Sequence, residues 1–135
     1  MSANDTNSPE MTADFDIDME SVTAARDLQA LSAVEILGLH AVDLMTAAAV
    51  KLGQFEGTTV DLAEARILIN ALAGFVDAAA MELGHHHAAP IRDGLQALQR
   101  AFKELSDFPD EPGFGPGEKY TGPVYWPHQQ AWLLK

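Results

Sequence analysis

Along residues 61–84, apolar side chains recur at alternating steps of three and four: Leu62, Ala65, Ile69, Leu72, Val76, Ala79 and Leu83. That spacing is the seam of an α-helix. A second apolar strip runs through Ile67, Leu68, Ala71, Phe75 and Ala78, and a thin polar stripe of Arg66, Asn70 and Asp77 lies between the two. A helix that is apolar on two sides is covered on two sides. The pattern therefore predicts the central helix of a bundle, with the polar stripe as its solvated edge.

Two more helices flank it. Ser32-Ala33-Val34-Glu35 is a capping box, in which Ser and Glu each satisfy an orphan amide. The helix it opens runs to about Leu52, with Val34, Leu37, Ala41, Leu44 and Ala48 as its main stripe and Val42, Met45, Ala49 and Leu52 as a second. Gly53 is placed to end it in the left-handed conformation. Asp61 with Glu64, or Thr59, caps the central helix. Its interior Gly74 costs about 1 kcal/mol in propensity relative to Ala, which close approach of a neighbouring backbone would explain. His85 to Ala89 read as a short connection, and Pro90 suits a helical first turn. The third helix carries Ile91, Leu95, Leu98, Phe102 and Leu105 inward, with Arg92, Gln96, Gln99, Arg100 and Lys103 facing out. Pro109 forbids its continuation.

The ends differ in composition. Residues 1–31 form an acidic, mostly disordered segment with a short helix at 21–31, because residues 1–20 hold six carboxylates and no Lys or Arg. Phe15, Ile17 and Met19 alternate there with acids, and a solvated tail is the simpler account than a recognition strand. Residues 32–107 are the bundle. Residues 108–135 are a Pro/Gly/aromatic tail holding Tyr120, Tyr125, Trp126 and Trp132. Flexible linkers seldom carry such an aromatic load, so part of the tail should lie against something. The predicted fold class is all-α: a small three-helix bundle with a disordered acidic N-terminus and an extended C-terminal tail.

Charge narrows the partners. The net charge of −12 over 135 residues opposes direct nucleic-acid binding and docking on an anionic membrane leaflet. No cysteine is present, so there is no disulfide, thiol nucleophile or thiolate metal site. The first residues lack a signal-peptide pattern. The apolar run Ile36 to Val50 is broken by His40 and Asp43 and reads as too short for a bilayer. A cytoplasmic location is expected.

Several stretches together resemble one family. They include Ala33-Val34-Glu35-Ile36, Leu44 to Gly53, Asp61 to Arg66, Leu72-Ala73-Gly74, His86 to Leu95 and Pro109 to Gly113. The run Gly115-Pro116-Gly117-Glu118-Lys119-Tyr120-Thr121-Gly122-Pro123-Val124 closes the match and is its most specific part. The chain resembles, over roughly residues 33–125, the actinobacterial form of the bacterial family catalogued as domain of unknown function 1844. The resemblance implies a small, helical, cytoplasmic protein with no catalytic residues to carry over, and weakly suggests a connection with translation. His40, Asp43 and the stretch Trp126 to Lys135 depart from the family pattern, so no family-wide role falls on them.

Residues of reactive or ligating type cluster in three places. His85, His86 and His87 could ligate a metal, but adjacent histidines diverge and no His-x-x-x-His spacing accompanies them. His40 and Asp43 sit one turn apart without a matching Ser or Cys nucleophile. The glycines at 113, 115, 117 and 122 neither follow a strand nor precede a clear helix, which opposes a phosphate loop. No cofactor is expected. The leading function is a protein-interaction or assembly module. The alternative is a small enzyme or metal-binding protein using His40 and Asp43 or His85–His87. Lys119, Tyr120, Tyr125, Trp126 and Phe75 are the candidate partner-binding residues, and the partner is another protein or a second copy of the chain. Packing of the aromatic tail on the bundle accounts for Tyr120, Tyr125 and Trp126 equally well.

Overall fold

The computed structural model describes residues 19–125. The expected disorder of residues 1–18, and Trp126 among the candidate partner residues, fall outside the described residues. The protein is all-α, and among the described residues the only β-pairing is an isolated antiparallel bridge between Leu52 and Val60. The chain divides into two compact units, residues 1–36 and 37–135.

In the first unit, α1 spans Met19–Ala30 and buries none of its residues. The next helix, α2 (Ala33–Lys51), begins there. Its capping box forms as the sequence predicts. The Ser32 amide donates to Glu35 Oε1 at 2.9 Å, and the Glu35 amide donates to Ser32 Oγ at 3.1 Å.

The second unit holds the rest of α2, then α3 (Leu62–Leu83), α4 (His85–Leu105) and the single helical turn α5 (Glu118–Thr121). Asp61 caps α3 by accepting from the Glu64 amide, so the capping falls to Asp61 and not Thr59. Gly53 ends α2 with φ of 72°, as its position predicts. The core is built from the expected seams: Ile69, Leu72 and Val76 of α3 meet Ile91, Leu95, Leu98 and Phe102 of α4.

The joint between α3 and α4 differs from expectation. Gly84 alone separates the helices, at φ of 79°. Its amide closes α3 on the Ala80 carbonyl, and its carbonyl accepts the first bond of α4 from Ala88. One residue without a Cβ takes that conformation cheaply, so the histidines are not a connection but the first turn of α4. Pro90 then lies inside α4 and not at its start, where it leaves the His86 carbonyl without its usual donor.

α2 is the least covered of the long helices in this unit. Only Ala41 and Ala48 are buried along it, and Leu39 and Val42 lie exposed. It touches α4 where Met45 crosses Gly94; a Cβ at position 94 would fall 2.5 Å from the Met45 sulfur. A groove of about 250 Å³ lined by Met45, Ala49, Phe55, Ala97 and Leu98 remains beside that crossing. With the first turn included, α2 has 19 residues and a mean hydropathy of 1.6 in its best window, so by length and composition alone it could cross a bilayer. Only 11% of that window is buried within the protein.

The capping box carries a pH signature. Hydrogen bonds from the Ser32 amide and hydroxyl hold the Glu35 carboxyl below the usual carboxylate value. A depressed carboxyl stabilises the folded helix start above the ordinary carboxylate pKa, and that contribution disappears as pH falls through the lowered value. Ser32→Ala removes the hydroxyl and keeps the amide, so the Glu35 titration, followed by carboxyl carbon NMR, should rise only part of the way toward the ordinary range. An unchanged titration would show that the hydroxyl contributes nothing to it.

Candidate functional site: a C-terminal clasp on α3 and α4

Residues 109–125 fold back along α3 and α4. The polar stripe of α3, expected as a solvated edge, instead grips this segment at two points. Arg66 pairs with Asp110 at 2.7 Å while its guanidinium lies 4.9 Å from the Phe102 ring centre. The Asn70 side-chain oxygen accepts from the Gly117 amide at 2.7 Å. Only Asp77 of the stripe keeps the solvated role.

On α4 the correction is larger. Gln99 and Lys103, expected to face out, are 1% and 5% exposed. They sit one turn apart, so both aim at the same stretch of tail. The Gln99 amide nitrogen donates to the Pro116 carbonyl and to the Thr121 hydroxyl, each at 3.0 Å. The Lys103 ammonium meets the Glu118 carboxylate at 3.0 Å in an ion pair with both side chains buried.

Glu118 is the centre of the clasp. Its Oε1 accepts from the Gly115 amide at 2.7 Å, and its Oε2 accepts from the Val124 amide as well as pairing with Lys103. One carboxylate thus ties the turn before α5 to the residues after it. A buried charge is tolerable only when paired and hydrogen-bonded, and this one is both. The glycines exist to let the backbone come this close. A Cβ at Gly115 would fall 2.7 Å from Glu118 Oε1. At Gly117 the backbone takes φ of 76°, and a Cβ would lie 2.9 Å from the Gln99 amide nitrogen and 3.0 Å from Ala73 Cβ.

The clasp sets Tyr120 on the outer side of α3. A Cβ at Gly74 would lie 3.2 Å from Tyr120 Cζ and 3.4 Å from its hydroxyl. The close approach that the interior glycine implied is therefore made by an aromatic ring and not by a backbone. Tyr120 remains 44% exposed, with the Lys119 ammonium 5.7 Å from its ring centre. Tyr125 and Phe75 are half-buried. Between α3, α4 and the tail lies a cleft of about 340 Å³ lined by Asp77, Arg92, Gln96, Tyr120, Pro123 and Val124. That is the lower end of the range for ligand pockets. Its lining also holds Asp93 and Thr121 and contains no imidazole, Ser or Cys.

The other candidate residues stay apart. His40 Nδ1 and Asp43 Oδ2 are 3.9 Å apart on an exposed face of α2. His85, His86 and His87 are all exposed on the first turn of α4. Among the described residues no group of three or more His, Asp or Glu side chains converges as metal ligands do.

Periodicity assigns polar positions to solvent by default, which is why Gln99, Lys103, Arg66 and Asn70 were missed. A usable signal was present: Gln99 and Lys103 are spaced i, i+4 at the border of the apolar seam, and a lone Glu stands among the tail glycines.

The site defines a class: a small all-α protein whose irregular C-terminal segment is locked onto a helix pair by a buried ion pair. The family model for a domain of unknown function (DUF1844) matches residues 33–104, and the chain belongs to that family. No curated protein matches the chain, and no solved structure matches it.

Removing one partner of a buried ion pair costs about 3–5 kcal/mol. Glu118→Ala should lower stability by that order in urea unfolding, while Glu104→Ala on the exposed side of α4 should change it by less than about 0.5 kcal/mol. A Glu118→Ala loss below about 1 kcal/mol would mean that the ion pair does not hold the tail.

Proposed function

We propose that this protein is a protein-interaction or assembly module acting in the cytoplasm. The observation that carries this reading is the surface built around Tyr120. The clasp spends its polar groups on internal bonds and leaves an amphipathic aromatic ring, with a lysine above it, on the outside of α3. Tyr is enriched at the energetic centres of interfaces, and here it needs no ordering before contact because Gly117 and Glu118 fix its backbone. Beside it, Ile67 and Met81 expose most of their side chains on the same helix. A connection with translation remains part of this proposal and rests on the family resemblance alone.

A photo-crosslinking residue at position 81 should capture a partner that is absent when the same residue replaces Asp43 on α2. Tyr120→Ala should abolish that capture while leaving helical circular dichroism essentially unchanged. Equal capture with and without Tyr120 would reject the surface as the binding site.

The near-continuous apolar character of α2, with two buried residues, favours a second use of the same kind. An apolar helix face left bare, as at Leu39 and Val42, needs cover, and a second copy presenting the same helix supplies it in a closed symmetric pair. The protein should sediment as a dimer at tens of micromolar, and Val42→Glu should convert it to monomer with its helicity kept. A wild-type monomer across that range would exclude self-association through α2.

A further inference from the structure

The outer face of α3 carries its own apolar seam. Ile67, Ala71, Gly74, Ala78 and Met81 follow steps of four, three, four and three. This is the spacing at which one helix reads another. Ile67 is 61% exposed and Met81 is 94% exposed, and Ala71 and Ala78 are exposed between them. From Ile67 to Met81 the seam runs about 21 Å at helical rise, and the Tyr120 ring widens it at Gly74.

The rim of this seam is acidic. Glu64 and Glu82 stand along one edge, and Asp77 along the other. Arg66 cannot offset them, because Asp110 already neutralises it and its guanidinium is drawn toward Phe102. Lys119 sits by the Tyr120 ring, and Arg92 lines the cleft on the Asp77 side. The whole chain adds a net charge of −12. Charge on the flanks of an apolar seam selects the partner and its orientation.

A second copy fits this face poorly. Antiparallel pairing centred near Gly74 would set Glu64 of one copy opposite Glu82 of the other, and like charges facing each other are unfavourable. The face therefore asks for a partner with opposite flanks.

Building on the interaction-module reading, we infer that the outer face of α3 receives an amphipathic helix of another protein. That helix presents apolar residues at heptad spacing flanked by Lys or Arg, and its apolar side packs between Ile67 and Met81 against Tyr120. Its basic flanks meet Glu64, Glu82 and Asp77. Four to five helical turns span the seam, since each turn rises about 5.4 Å.

Two synthetic helical peptides of about 18 residues test this against the full-length chain. They share one apolar seam and differ only in carrying Lys or Glu on the flanks. The Lys-flanked peptide should bind in calorimetry and shift the amide resonances of Ile67, Ala71, Ala78 and Met81. The Glu-flanked peptide should bind at least about tenfold more weakly, a difference of about 1.4 kcal/mol. Glu64→Gln combined with Glu82→Gln should narrow that gap, and Met81→Ser, at a side chain almost wholly in solvent, should weaken the Lys peptide without unfolding the protein. Equal binding of both peptides, resonance shifts confined to other elements, or no binding by the Lys-flanked peptide would overturn the assignment. A natural partner captured at position 81 through an acidic or non-helical segment would also overturn it, while leaving the interaction-module reading standing. Failure of that reading shows separately, as absence of any Tyr120-dependent capture.

Discussion

A single carboxylate organises the segment from Gly115 to Val124 on the helices beneath it. Glu118 is buried, so its charge must be answered on every side. Lys103 answers it from α4, the Gly115 amide from the turn before α5, and the Val124 amide from the chain after it. Each of those groups is itself buried or backbone, and none can be withdrawn without leaving another unpaired. Partly satisfied polar networks are costly and fully satisfied ones fix a single arrangement. The register of the tail on α3 and α4 follows from that requirement, with Pro116 and Val124 as the apolar side chains the segment buries beside it.

Around this centre the remaining contacts act at graded strength. Gln99 bridges Pro116 to Thr121 from a fully buried position and extends the same network. Asn70 holds one backbone amide at the rim. The Arg66–Asp110 pair is partly exposed, and pairs of that kind contribute little on their own. Its cation–π contact with Phe102 adds packing at the point where the tail begins. The outcome is a tail fixed firmly between Gly115 and Val124 and more lightly near Asp110. Tyr120 falls inside the firmly held part, which is what makes it a preorganised surface feature and not a flexible one.

The helices were legible because their cues are local. Ser32 and Glu35, Asp61 and Glu64, and Gly53 each act over one turn, and the seams of Leu62 to Leu83 and Ile91 to Phe102 repeat along one face. Two local cues gave the wrong reading. Pro90 suggests a helix start, yet Gly84 completes the reversal alone and the helix forms upstream of the proline. Gly74 suggested a neighbouring backbone, and the neighbour proved to be Tyr120, forty-six residues later in the chain. The clasp was not legible because its pairs join distant segments: Lys103 with Glu118, Asn70 with Gly117, and Arg66 with Asp110. No periodicity encodes such pairings. A polar residue on a helix looks the same in sequence whether water or a buried carboxylate meets it.

The clasp also bears on where the folding unit ends. The family match covers residues 33–104 and stops within α4. Gln99 and Lys103 fall inside that span, yet their side chains bond to Pro116, Thr121 and Glu118, all beyond it. Cut at residue 104, the span would expose an unpaired lysine and glutamine beside the seam of Leu95, Leu98 and Phe102, along with the α3 surface at Ala73 that Gly117 now covers. Polar groups placed to be buried are poor solvent-facing packing, and the apolar area beneath them loses its cover. The second compact unit is therefore complete only when the chain reaches Val124, and the segment from Gly115 to Val124 belongs to the fold as fully as the helices it binds.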